Sequence, residues 1–191
     1  MMLLNSKLQV LIRSYCIQNR PSSAADLHFF SNMSSFEDVL ETVSLAKEQH
    51  GKRQKHQRRI SPKVLLSAKQ RLFPAKNNLK SCNSFEMLHT CIKDLLLNPK
   101  ILGLGELYFY DTALRIGAYL NLLPEKVYLH SGTRIGAKKL GIDWKKESLD
   151  PAIFPEPFKA LKPYEIEDFL CIYKDTFEKK DVSRRRDLSC P

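Results

Sequence analysis

Ile101-Leu102-Gly103-Leu104-Gly105-Glu106-Leu107-Tyr108 is the stretch that decides how this chain folds. It places Gly103 and Gly105 in a hydrophobic turn between two segments with helical periodicity. Apolar residues recur at spacings of three and four on both sides, and Asn98-Pro99 ends the first segment. The pattern predicts a helix, a glycine hairpin and a second helix.

The two glycines of the turn indicate a ligand for the backbone. Glycine adopts positive φ without strain and lets bare backbone approach a partner closely. The free N–H groups that begin the second helix suit a phosphate oxygen. We therefore expect Gly103 and Gly105 to contact a nucleic-acid backbone. The alternative is an ordinary tight turn that only packs two core helices together.

This region resembles the helix-hairpin-helix of base-excision DNA glycosylases over about residues 84–141. In that family an L-P-G-V-G-x-K-T-A-like turn is followed, after a helix and a loop, by V-D-T-H and a short helix. Here the second half reads Val127-Tyr128-Leu129-His130-Ser131-Gly132-Thr133-Arg134 at a similar separation. The resemblance implies a helix-hairpin-helix at about residues 84–120 and DNA as the partner. The block from Tyr110 to Ala118, followed by the same second half, also resembles a pattern in uncharacterised bacterial proteins, which implies no function.

Both catalytic positions of the glycosylase family hold other residues in this chain. Leu107 stands where the resemblance places a lyase lysine, and Tyr128 stands where it places an aspartate. A leucine cannot attack a sugar as an amine does, and a neutral phenol cannot replace a carboxylate that stabilises positive charge. The sequence therefore predicts a non-catalytic binding protein. If the chain is instead a divergent glycosylase or nuclease-like enzyme, Asp111 and His130 are its catalytic candidates.

Five polar residues of this region are expected to converge if the hairpin folds as in the glycosylases: Asp111, Arg115, Tyr128, His130 and Arg134. Asp111 and Arg115 lie four residues apart on one helix, a spacing that also permits an ordinary ion pair. His130 is able to act as an acid or base near neutral pH, or to cap the next helix. Thr133 and Arg134 offer an N–H group and a guanidinium to a phosphate. The alternative is a helix N-terminus with an exposed arginine.

The positive charge of the chain is concentrated in one segment. No acidic residue lies between Glu48 and Glu86, whereas residues 51–80 contain ten lysines and arginines. Ten equals the net charge of the chain, so the remainder is neutral. A polyanion is the natural partner of such a segment, through phosphate neutralisation and counterion release, and a solvated basic face is the alternative. The predicted phosphate contacts are Lys52, Arg53, Lys55, Arg58 and Arg59. Charge alone does not distinguish DNA from RNA.

Length and composition predict one all-α domain. A chain of 191 residues with 43% hydrophobic residues is able to bury a core. We expect about six helices over residues 33–178, a basic tail at 179–191 and a poorly packed extension at 1–32. The first 25 residues lack acids and combine leucines with lysine and arginine, which is typical of an organelle presequence. A helical protein-interaction domain that does not bind nucleic acid is the remaining alternative.

The five cysteines form no C-x-x-C pair, which favours a reducing compartment, the cytoplasm or nucleoid. An organelle is the alternative if residues 1–32 are a presequence. No apolar run approaches the length that spans a bilayer, so we expect no membrane association. We also expect neither a metal site nor a cofactor.

Local signals predict where several helices begin. Ser34 and Ser35, followed by two acids, begin a helix that is expected to run to about His50, with Gly51 as its stop. Ser61-Pro62 begins another helix. Residues 73–83 are expected to form a loop and residues 143–160 an extended arm. Ile166 to Phe177 has the periodicity of the last helix.

Overall fold

The computed structural model describes residues 2–177. Within that range the chain forms nine α-helices and one small sheet of two antiparallel strands. Three short 3-10 helices lie at Lys55–Gln57, Pro151–Ile153 and Glu156–Ala160. The predicted basic tail at 179–191 falls outside the described residues. The helices are α1 Met2–Gln18, α2 Arg20–Ser31, α3 Phe36–Ser44, α4 Pro62–Leu72, α5 Lys76–Lys80, α6 Phe85–Leu97, α7 Glu106–Leu120, α8 Ser131–Lys139 and α9 Pro163–Tyr173; the strands are β1 Val127–Tyr128 and β2 Ser148–Leu149.

The all-α prediction is confirmed, although the described part of the chain contains more helices than the expected six. Two of the additional helices, α1 and α2, occupy the predicted N-terminal extension. A third, α5, lies in the predicted loop at 73–83. It contributes Leu79, which is fully buried in the core.

Serine caps begin three helices at the positions that the sequence predicts or allows. The hydroxyl oxygens of Ser35, Ser61 and Ser84 accept a hydrogen bond from the backbone N–H three residues on. The predicted end of α3 is wrong, because the helix ends at Ser44 rather than near His50. Ala46 adopts a φ of 51°, which breaks helical geometry before Gly51 is reached.

Helices α6 and α7 flank the glycine turn, so the predicted helix, turn and helix are present. Gly103 adopts a φ of +95°, as expected of a glycine in this turn. Gly105 does not: it is the N-cap of α7, with an extended φ of −124°. The expectation of positive φ at Gly105 is therefore wrong, and Gly103 alone requires the conformational freedom of glycine.

The N-terminal helices are part of the core, so the expectation of a poorly packed extension is wrong. Leu8, Ile12 and Tyr15 of α1 are buried against α9, and Phe30 of α2 is buried against α7. Each helix covers an apolar face that would otherwise meet water, and this burial stabilises the fold. Arg20 at the start of α2 also pairs with Glu165, with 2.8 Å between Nε and Oε1. The function of this segment as a presequence stays a prediction.

Two apolar clusters form the interior. One lies among α3, α4, α6 and α7; the other lies among α1, α8, α9 and the strands. Residues 143–160 are only partly the extended arm that the sequence predicts, since β2 pairs with β1 before two 3-10 turns bury Phe154 and Phe158. Among residues 2–177, no helix combines the length and apolar character needed to cross a membrane.

Candidate functional site

Four of the five predicted basic contacts lie on one exposed segment. Lys52, Lys55, Arg58 and Arg59 are exposed, and none of them forms an ion pair with another described residue. Neighbouring Gln54 and Gln57 are buried, which fixes the backbone of this loop against the body of the domain. We call residues 52–59 the basic loop.

Arg53 differs from its neighbours. It is half-buried, and its Nη1 donates a hydrogen bond to the carbonyl of Ile60 at 3.0 Å. The guanidinium therefore closes the basic loop on itself. Several other cations of residues 51–80 are also engaged within the fold: Lys69 pairs with Glu41, Lys76 pairs with Glu37, and Arg71 donates to the carbonyls of Leu95 and Pro99.

The glycine turn lies beside the start of α4, which follows the basic loop in sequence. A Cβ atom on Gly103 would lie 3.5 Å from the side chain of Val64. Lys63, next to Val64, is exposed and forms no ion pair with a described residue. Gly105 is also exposed at the N-terminus of α7. The turn and the first part of the basic region are therefore neighbours on the surface.

Thr133 and Arg134 are committed to the fold, so their prediction as phosphate contacts is wrong. Thr133 is fully buried, and its hydroxyl donates to the carbonyl of His130 and accepts from the backbone N–H of the same residue. Arg134 pairs with Glu106 at 3.0 Å and donates to the carbonyls of Trp144 and Lys146. This arginine ties α8 to α7 and to the segment that precedes β2.

A cleft of about 410 Å³ adjoins the basic loop and is lined by residues of α2, α7 and α9. Asp111 lies at its base. Its Oδ2 lies 2.6 Å from His56 Nε2 and also accepts a hydrogen bond from Gln57, both of the basic loop. Its Oδ1 lies 3.5 Å from Arg115 Nη1, and Arg115 Nε pairs with Asp26 of α2 at 3.0 Å.

The buried carboxyl groups of the cleft differ in their electrostatics. Burial raises the pKa of Asp111, but Arg115, His56 and Gln57 together outweigh that effect and hold the pKa below its ordinary value. Burial raises the pKa of Glu167 and of Asp168, and their partners do not compensate. The hydrogen bond to Asp111 raises the pKa of His56.

The structure brings together part of the predicted polar cluster. Asp111 and Arg115 meet in the cleft, and His130 joins them through Glu167, with 2.5 Å between Nε2 and Oε1. Arg134 lies apart, as described above. Tyr128 packs among Phe85, His89 and Tyr110. Burial raises the pKa of Tyr128 to about 12, so this phenol is neutral at physiological pH.

Sequence reasoning missed His56, Glu167 and Asp168. A signal for two of them exists, because Glu167 and Asp168 interrupt the apolar periodicity of α9 between Ile166 and Phe169. Acids beside a buried stripe rarely lose contact with water unless they have partners. Within residues 2–177, no group of three histidine, cysteine or acidic side chains has the arrangement to hold a metal ion.

Comparison with known proteins adds no identity to these observations. No protein family, curated protein or solved structure was found to match the chain.

Proposed function

We propose that this protein binds nucleic acid, with duplex DNA as the favoured partner, through the phosphate backbone and without sequence readout or catalysis. The observation that carries the proposal is the basic loop, where Lys52, Lys55, Arg58 and Arg59 are exposed and lack ion-pair partners among the described residues. Phosphate oxygens supply such partners, and counterion release drives their binding. Contacts of this kind position a protein without specifying bases.

The position of the glycine turn supports the same interpretation. Gly103 and Gly105 are exposed beside Lys63, so a backbone that crosses the basic loop is able to continue toward the N-terminus of α7. Unpaired N–H groups at a helix N-terminus favour an anion. The fixed backbone of the loop also lowers the entropy lost when its side chains bind.

Two matched double variants test the proposal. Lys52→Gln with Lys55→Gln removes two unpaired charges, whereas Lys69→Gln with Lys76→Gln removes two charges that Glu41 and Glu37 already neutralise. We expect the first variant to bind a 20-base-pair duplex at least about tenfold more weakly at low salt, and the second to bind within about twofold of wild type. Equal losses in the two variants would mean that only net charge matters, and would contradict a role for the basic loop.

A divergent repair enzyme is the second candidate, because the cleft places Asp111 against His56 within the basic loop. We nevertheless expect binding without base excision or strand cleavage on abasic or damaged duplex. Borohydride is expected to trap no covalent adduct, since Leu107 supplies no amine. Turnover that disappears in Asp111→Asn or His130→Ala, with the fold retained, would favour the enzyme instead.

A further inference from the structure

The cleft beside the basic loop is rich in acids although the protein as a whole is basic. Its walls carry five carboxyl groups, whereas Lys55 and Arg115 are its only lysine and arginine. Its volume of about 410 Å³ is in the range of small-molecule sites. The acids are Asp26, Glu48, Asp111, Glu167 and Asp168.

The internal hydrogen bonds leave hydrogen-bond acceptors unused in this cleft. Asp168 accepts from Tyr15 at 3.0 Å and Ser23 at 2.8 Å, but both bonds reach Oδ2, and Oδ1 has no partner among the described residues. Glu48 forms no side-chain hydrogen bond or ion pair with a described residue. Arg115, in contrast, is fully engaged by Asp111 and Asp26.

Gln54 provides an independent indication of a ligand. It lines the cleft and is only 4% exposed. Its Nε2 donates to the carbonyl of Lys47 at 3.4 Å, which fixes the orientation of the amide. The Oε1 atom is buried and has no hydrogen-bond partner among the described residues. A buried acceptor of this kind is costly unless a donor satisfies it.

We propose that the cleft binds a small organic cation through a primary ammonium or guanidinium group. The unused groups on its walls are acceptors, namely Gln54 Oε1, Asp168 Oδ1 and the Glu48 carboxylate. A ligand with several N–H donors and a positive charge satisfies them and offsets the repulsion among the buried acids. An anionic ligand would meet the same carboxylates and be repelled. Lys55, His50 and His56 are exposed on the side of the basic loop and leave the acidic wall to the ligand.

Calorimetry with putrescine and agmatine tests the proposal on the full chain, with 1,4-butanediol as the uncharged control of matching length. We expect both cations to bind and the diol to give no heat of binding. Glu48→Gln and Gln54→Leu are each expected to weaken cation binding at least about tenfold. Asp94→Asn, which removes an exposed acid on α6, is expected to change nothing.

Several results would overturn the proposal: no cation binding at millimolar concentration, equal binding of the diol, or unchanged affinity in Glu48→Gln. Glu48 lies on a half-buried turn, so its variant is expected to fold even if the buried Gln54→Leu does not. Circular dichroism of each variant establishes this. Duplex binding by Gln54→Leu and Glu48→Gln is expected to be retained, which separates failure of this inference from failure of nucleic-acid binding.

Discussion

At the scale of single residues, Asp111 and Glu167 are two buried carboxyl groups with opposite effects on stability. The pKa of Asp111 is lowered, so its charged form stabilises the fold above the pKa of the unfolded chain. The pKa of Glu167 is raised, so its charged form opposes folding at neutral pH. We expect Asp111→Asn to lower the free energy of unfolding by about 3 kcal/mol at pH 7. Glu167→Gln is expected to leave it unchanged or raise it.

Urea denaturation across pH checks this contrast. The contribution of Asp111 is expected to persist down to its ordinary pKa of 3.8 and to be lost as the pH falls further, through its lowered native pKa. Wild type and Asp111→Asn therefore converge in acid. A greater loss from Glu167→Gln than from Asp111→Asn at pH 7 would contradict the electrostatics described for the cleft.

His56 links the same cleft to nucleic-acid binding. Its hydrogen bond to Asp111 raises its pKa above the ordinary 6.5, and the ring lies within the basic loop. Protonation adds a positive charge there, so duplex affinity is expected to rise as the pH falls through the raised pKa of His56. His56→Gln is expected to flatten this dependence between pH 6 and 8. An unaltered pH profile would show that His56 does not face the ligand.

The two glycines of the turn are distinguishable by one substitution. Gly103→Ser places a side chain at a φ of +95° and is expected to cost about 1–2 kcal/mol in unfolding free energy. Gly105→Ser occupies an extended N-cap with no atom within 4 Å of its Cβ, and serine is a favoured cap. We expect it to be neutral or slightly stabilising. Thermal melts of both variants measure the difference, and an equal loss would contradict the turn geometry.

At the scale of elements, the sequence predicts helix starts better than helix ends. Ser35, Ser61 and Ser84 mark starts because each cap is a hydrogen bond within four residues. The end of α3 escapes prediction because the φ of 51° at Ala46 accompanies a chain reversal, in which Lys47 forms a bridge with Arg53. Helix α1 has an apolar stripe in its sequence, but a composition without acids also fits a presequence, and only its packing on α9 decides between them.

The contact between α8 and α9 depends on small residues. A Cβ on Gly136 would lie 2.6 Å from the carbonyl oxygen of Leu170, closer than side chains tolerate. Since that oxygen belongs to the backbone of α9, the helices must separate to accept it. We expect Gly136→Ala to destabilise the fold by about 2–3 kcal/mol, as measured by urea denaturation. Lys138→Ala on the exposed face of α8 is the control and is expected to have little effect.

At the scale of the whole molecule, the cleft joins residues that are far apart in sequence. His56 and Asp111 are separated by 55 positions, and Glu167 lies farther still along the chain. The sequence predicts that Asp111 and Arg115 are neighbours because one helix carries both. It does not predict His56 or Glu167 there, because their convergence depends on how α2, α7, α9 and the basic loop pack together. The surface role of the basic loop is more readable, since charge density is a property of sequence.

The dependence of duplex affinity on salt concentration tests the central claim most directly. If Lys52, Lys55, Arg58 and Arg59 each neutralise one phosphate, the slope of log K against log salt for wild type is expected to be about −4 or steeper. Arg53 is kept, because it holds the loop through Ile60. Replacing the four exposed cations by glutamine is expected to bring the slope close to zero while circular dichroism stays unchanged. A slope that is the same in wild type and in the folded fourfold variant would contradict nucleic-acid binding through the basic loop.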